Sequence, residues 1–192
     1  MAKDSLRDEE KLVVIGGSAG SLPVIMFILQ HLKPTLRIPV VVVLHRKSDS
    51  DSSLSTLMAH RAKLVVKEAD DKDPIIPGMI YLAPPDYHLL VERDKHFSLD
   101  DSEKINYSRP SIDVTFESAA EAYGKGTVGI LLSGANADGV DGLQVIQEHG
   151  GIIAVQDPSS AQVPYMPQAA VNQLKVERIL GIQDIPGFID SL

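Results

Sequence analysis

Lys11-Leu12-Val13-Val14-Ile15-Gly16-Gly17-Ser18-Ala19-Gly20 is the stretch whose reading decides the fold. Lys11–Ile15 is a short apolar run, largely β-branched, with no polar alternation, and it stops at two glycines. A strand written this way is buried on both faces, as in a parallel sheet covered by helices. A helix is expected directly after it, with Ser21 as its cap, Pro23 in its first turn and Val24–Leu32 as its body, ended by Pro34.

The same pattern returns along the chain. Pro39–Leu44, Thr127–Leu132, Ile152–Gln156 and Arg178–Ile182 read as strands, and Leu64–Lys67 as a further short one. Ser53–Ala62, Ser111–Tyr123, Asp138–His149, Met166–Leu174 and Ile185–Leu192 read as helices. Met79–Leu82, His88–Glu92 and Phe97–Leu99 lie close together, the first two joined by Ala83-Pro84-Pro85-Asp86. They are expected to form a local antiparallel patch. The fold class is therefore α/β: a doubly wound, mostly parallel sheet with helices on both faces and a small antiparallel β insert.

Bulk composition agrees and removes several functions. A length of 192 residues, 44% hydrophobic and 23% charged, suits one globular domain with a real core. With no Trp and only 5% aromatics, that core rests on Val, Ile, Leu and Ala. A formal net charge of -8 opposes nucleic-acid binding, which needs a basic face, and opposes an anionic membrane surface. The absence of cysteine excludes disulfides and thiolate chemistry. The charged opening Met1–Lys11 is no signal peptide, and no apolar run is long enough to insert in a membrane, so a cytoplasmic protein is expected.

Open parallel sheets bind ligands beyond the carboxyl ends of their strands, near the point where strand order reverses. Ser18 follows the first strand, His45 the second, and Ser133-Gly134-Ala135-Asn136-Ala137-Asp138-Gly139 the strand at Thr127–Leu132. A serine, a histidine and an aspartate thus share one rim, as in a hydrolytic triad: the hydroxyl attacks, the imidazole carries the proton, the carboxylate orients the imidazole. Ala19 and Ala135 are the candidate backbone donors to an oxyanion. Taken singly, Ser18 reads as a turn residue and Asp138 as the N-cap of the helix after it. Asp141 competes as the orienting acid, but Asp138 lies closer to the strand end. His31, His60 and His149 sit near helix ends, and His88 and His96 in the insert. None has metal-ligand spacing, so neither a metal nor another cofactor is expected. Asp49, Asp51, Asp70, Asp71 and Asp73 read as loop solvation.

At these positions the chain resembles the chemotaxis protein-glutamate methylesterases, the CheB catalytic domain. The resemblance runs over about residues 11–183. It rests on Val13–Gly20, on Val41–His45 and on Asp73-Pro74 through Met79-Ile80-Tyr81-Leu82-Ala83-Pro84. Ser108-Arg109-Pro110-Ser111-Ile112-Asp113-Val114 and Leu132-Ser133-Gly134 with Asp138-Gly139 and Gly142-Leu143 continue it. Ala154–Pro158 and Met166–Ala170 complete it. The resemblance implies hydrolysis of glutamate γ-methyl esters on the cytoplasmic helices of methyl-accepting chemotaxis receptors, with release of methanol, and deamidation of selected receptor glutamines. It further implies an acyl-serine intermediate and, as a second partner, a separate response-regulator domain. On this reading residues 1–192 form a single catalytic domain without the receiver domain most members carry, either because it was removed or because the form is stand-alone.

The chain departs from the family pattern at Ala19, where a hydroxyl residue is usual, at Gly134-Ala135-Asn136, where Gly-Met-Gly is usual, and at Pro164-Tyr165. These departures motivate the alternative of an inactive signalling scaffold. A nucleotide-binding domain is the other alternative, since Gly16–Gly20 after a strand can cradle a phosphate. It lacks G-x-G-x-x-G and a Lys-Ser/Thr pair, and His45 stands where an acid is wanted.

Overall fold

The computed structural model describes residues 10–46 and 53–192. Its centre is β1 (Leu12–Gly17), every residue of which is buried. The strand pairs in parallel on both sides, with β2 (Val40–Leu44) and with β7 (Thr127–Leu131). Outward from β2 come β4 (Met79–Leu82) and then β3 (Val65–Glu68); outward from β7 come β8 (Ile152–Gln156) and β9 (Arg178–Leu180). All seven run parallel, in the order β3-β4-β2-β1-β7-β8-β9.

Side chains alternate between the two faces, and each face has its own apolar layer. Val13, Ile15, Val40, Val42, Ile80 and Ile130 meet α1 (Leu22–His31), α2 (Ser53–Arg61) and α6 (Ile185–Asp190). Val14, Val41, Val43, Leu131 and Val155 meet α3 (Ile112–Tyr123), α4 (Val140–Glu148) and α5 (Tyr165–Gln173). Each fully buried Leu, Ile or Phe adds roughly 1.5–3 kcal/mol, so α3, with Ile112 and Phe116 at no exposure, is held firmly where it meets the sheet.

The expected antiparallel patch of three strands is smaller than the sequence suggested. Only β5 (His88–Val91) and β6 (Phe97–Asp100) form it. Met79–Leu82 instead enters the main sheet between β2 and β3. Ile80, Tyr81 and Leu82 are all buried, as a strand covered on both faces requires, and Pro84-Pro85 ends its pairing rather than turning a hairpin.

Two helix starts also differ. Ser21 makes no side-chain cap; it lies in helical backbone, and its hydroxyl donates to the Ser18 carbonyl at 2.7 Å. The helix expected from Asp138 begins at Val140, with Gly139 as N-cap at φ 96, a conformation that suits glycine. Asp49 and Asp51 lie outside the described residues.

Candidate active site

The sheet reverses between β1 and β7: the chain leaves β1 toward β2 and returns beside β1 at β7. The loops after these strands diverge to opposite faces and open a crevice at their carboxyl ends. Backbone bonds lace the three strand ends together. His45 N–H donates to Gly17 O at 3.1 Å, Leu132 N–H to Gly16 O at 2.9 Å, and Ser18 N–H to Ser133 O at 2.9 Å. Ser18, His45 and the loop leading to Asp138 are therefore neighbours by construction.

The side chains complete the line. Ser18 Oγ lies 3.1 Å from His45 Nδ1, and His45 Nε2 lies 2.6 Å from Asp138 Oδ2. The carboxylate can only accept, so Nε2 carries the ring proton and Nδ1 offers its lone pair to the Ser18 hydroxyl. The two nitrogens exchange the roles they play in the chymotrypsin arrangement, while the order of proton transfer is unchanged. Ser18 and His45 are half-buried, and Asp138 is fully buried.

Asp138 does not cap its own helix. Its carboxylate crosses to α3, accepting from Ile112 N–H at 2.7 Å, from Asp113 N–H at 3.1 Å and from the Ser111 hydroxyl at 2.9 Å. Burial alone would raise its pKa, but the bonds from His45 and these backbone donors outweigh burial and hold it at about 2. It is thus an anion throughout the working range, as an imidazolium partner must be. Asp141, the competing acid, is exposed on α4.

Asp113 returns the contact. Its Oδ1 accepts from Gly139 N–H at 2.8 Å and Gly142 N–H at 2.7 Å, capping α4 as Asp138 caps α3. The Asn106 side-chain amide bridges the two acids, at 3.1 Å from Asp113 Oδ2 and 3.4 Å from Asp138 Oδ1. Burial and then the Asp138 charge push Asp113 up to about 8. The pair therefore holds one negative charge near neutrality, and it sits on the member that faces His45.

Ser108 belongs to one of the motifs that carry the resemblance, and the structure adds a role for its side chain. Its hydroxyl is 3.3 Å from His45 Nδ1, the same nitrogen that faces Ser18. One lone pair meets two hydroxyls. Ser108 and Asp113 lie in a motif that carries the resemblance, but their side-chain roles and that of Asn106 are not legible in the sequence, because an acid in a first helical turn or a polar turn residue is ordinary anywhere. Arg46, next to His45, anchors the end of β2: its Nη2 reaches Glu68 at 2.5 Å and Ala83 O at 3.2 Å.

The oxyanion candidates stand at the mouth. Neither Ala19 N–H nor Ala135 N–H has an acceptor among the described residues, and both residues are exposed. Gly134 brings the second loop against Ser18; a Cβ there would lie 3.1 Å from Ser18 Cβ. Three of the other histidines do structural work. Buried His88 accepts from Ser111 N–H at 3.1 Å and meets Glu103 O at 2.9 Å. His31 and His149 bond carbonyls in their own helices. Among the described residues no cluster of three or more His, Cys, Asp or Glu could hold a metal. Asp73 does more than solvate a loop, since it pairs with Lys67 of β3 at 2.6 Å.

The family profile described as CheB methylesterase matches residues 13–189. The chain belongs to that family. A Leptospira interrogans relative is 43% identical over 173 residues, covering 90% of each chain. A Thermotoga maritima protein named protein-glutamate methylesterase/protein-glutamine glutaminase is 34% identical over 179 residues, 92% of this chain but 52% of the relative. The chain thus spans most of the first relative and about half of the second. The crystal structure of the Thermotoga maritima CheB methylesterase catalytic domain superposes with a TM-score of 0.90 at 33% identity, covering 94% of this chain and 97% of that one. The seven-stranded parallel sheet is therefore the CheB catalytic-domain fold.

Proposed function

We propose that this chain is a serine hydrolase that removes methyl groups from glutamate γ-methyl esters of chemotaxis receptors, through Ser18, His45 and Asp138. The observation that carries the reading is the unbroken line from the Ser18 hydroxyl through His45 to Asp138. Names of relatives support the substrate: the Thermotoga maritima protein and one from Anaeromyxobacter dehalogenans are both called protein-glutamate methylesterase/protein-glutamine glutaminase.

Ser18 Oγ attacks the ester carbonyl while its proton passes to His45 Nδ1. The tetrahedral oxyanion takes hydrogen bonds from the N–H of Ala19 and of Ala135, since Gly134 N–H already donates to Val163 O. Imidazolium, held by ionised Asp138, gives the proton to the leaving methoxide oxygen, and methanol departs. Water then loses a proton to Nδ1, attacks the acyl-Ser18 and frees the glutamate. A receptor glutamine follows the same path with ammonia as leaving group, which is the deamidase activity.

The partners are the cytoplasmic helices of methyl-accepting receptors, with a response-regulator domain as a second partner, and the setting is the cytoplasm. Residues 1–192 are taken as a single catalytic domain. Consistent with this, no helix among the described residues is long and apolar enough to cross a membrane. The phosphate-cradle alternative is disfavoured because Ser18 N–H is already committed to Ser133 O.

Methanol release from a methylated receptor fragment tests the reading. Wild type should release it, and Ser18→Ala should slow release at least about a thousandfold. Equal rates would leave a scaffold without this chemistry.

A further inference from the structure

The turn that carries Ser108 also carries the most exposed large apolar side chain among the described residues. Ile105 and Ser108 bridge with N–H···O bonds of 3.1 and 2.9 Å, and between them Asn106 (φ 50) and Tyr107 (φ 63) are both left-handed. Two successive positive φ values make the tight hairpin turn that selects Asn then Gly. Asn106 obeys that preference. Tyr107 breaks it, since a bulky side chain at positive φ is disfavoured, and its ring is 97% exposed. Folding gains nothing from an aromatic ring held in water at a glycine position.

The turn nevertheless touches the catalytic line on both sides of Tyr107. Ser108 Oγ is 3.3 Å from His45 Nδ1, and the Asn106 amide is 3.4 Å from Asp138. Tyr107 is thus one Cα step, about 3.8 Å, from a residue bonded to the general base. A second exposed tyrosine adjoins the loop that packs on Ser18. Tyr165, 59% exposed, precedes Met166, whose N–H donates to Gly134 O at 3.0 Å, and Gly134 abuts Ser18.

We infer that Tyr107 and Tyr165 are the docking contacts for the substrate helix, gripping its apolar residues on either flank of the methylated glutamate. The inference rests on the function proposed above and specifies how that site reads its partner. A glutamyl ester reaches Ser18 only if its helix lies across the mouth of the crevice. A helix is about 10–12 Å wide, so one laid over Ser18 extends past it toward the turn of Tyr107 and the loop that holds Tyr165. Its residues three and four positions from the glutamate share that face and fall on the rings. Tyrosine is well suited to such a contact, with a rigid apolar ring that costs little side-chain entropy and a hydroxyl that tolerates the wet edge.

Tyr107→Asn and Tyr107→Phe separate docking from folding, because Asn accepts the left-handed backbone and Phe keeps the ring. Methanol release from a methylated receptor cytoplasmic fragment is measured beside hydrolysis of p-nitrophenyl acetate, which has no helix. Tyr107→Asn should raise KM for the fragment roughly tenfold or more, with unchanged p-nitrophenyl acetate turnover and an undiminished Tm. Tyr107→Phe should stay near wild type, and adding Tyr165→Ala to Tyr107→Asn should raise KM further. A Tyr107→Asn enzyme equal to wild type on the fragment overturns the inference alone. Parallel loss on both substrates also overturns it, by placing the effect in the triad. A wild type active on p-nitrophenyl acetate but not on the fragment overturns the proposed substrate, and the docking inference with it.

Discussion

Replacing Asp113 with Asn tests whether two buried acids share one charge. Asp113 is 5% exposed, its Oδ1 caps α4 through Gly139 and Gly142, and its other oxygen meets the Asn106 amide and faces the Asp138 carboxylate. Burial and the Asp138 charge raise it from 3.8 to about 8. The sign follows directly. Between those values the folded chain holds a proton that the unfolded chain has released, so stability falls as pH rises. The stabilisation is whole below about pH 4 and is lost by the time pH passes about 8. Asn is uncharged at every pH and has no such slope, so any fixed cost of its amide facing the Asn106 amide shifts the whole curve without tilting it. The stability of Asp113→Asn relative to wild type should therefore climb as pH rises from 5 to 8, by up to about 4 kcal/mol in all. Urea unfolding of both proteins at pH 5, 6, 7 and 8 reads this difference. Esterase activity should survive within a few-fold, because Asp138 keeps its charge and its donors. A relative stability that does not change with pH, or that falls as pH rises, would refute the shared charge.

The remaining predictions concern how the loops are held. Gly134→Ala would place a Cβ 2.4 Å from Met166 Cε and 3.1 Å from Ser18 Cβ, so p-nitrophenyl acetate kcat should fall about tenfold with a stability loss of only about 1–2 kcal/mol, measured side by side. Gly139→Ala must keep φ 96 and would meet Leu131 and Ile112 at 2.6 and 2.8 Å; it should cost about 2–4 kcal/mol in urea unfolding. Ser111→Ala removes a donor to Asp138 and the α3 cap, whose bond from Val114 N–H is long at 3.5 Å; it should cost about 1 kcal/mol and slow turnover several-fold.

What the sequence makes legible is what repeats or lies near a strand end. Apolar runs without alternation mark a covered parallel sheet, and the place where such sheets bind ligands points to the rim residues Ser18, His45 and Asp138, which the fold brings within hydrogen-bonding distance. Met79–Leu82 was misplaced because its short spacing from His88 suggested a hairpin, whereas strand neighbours in a doubly wound sheet are set by burial across distant segments. Ser21 and Asp138 read as local caps on propensity alone. In the fold Ser21 turns back to Ser18, while Asp138 serves a helix 26 residues earlier in the chain through its bond to Ile112. Ser108, Asn106 and Asp113 gain meaning only once α3 and α4 lie side by side, a relation no local pattern encodes.

At the centre stands the claim that His45 makes Ser18 the nucleophile. Brief reaction with a fluorophosphonate ester, followed by peptide mass mapping, measures it directly, since phosphonylation needs an activated serine. One adduct is predicted, on Ser18, formed at a rate that drops sharply in His45→Ala. An adduct on another serine, or undiminished labelling of Ser18 without His45, would contradict it.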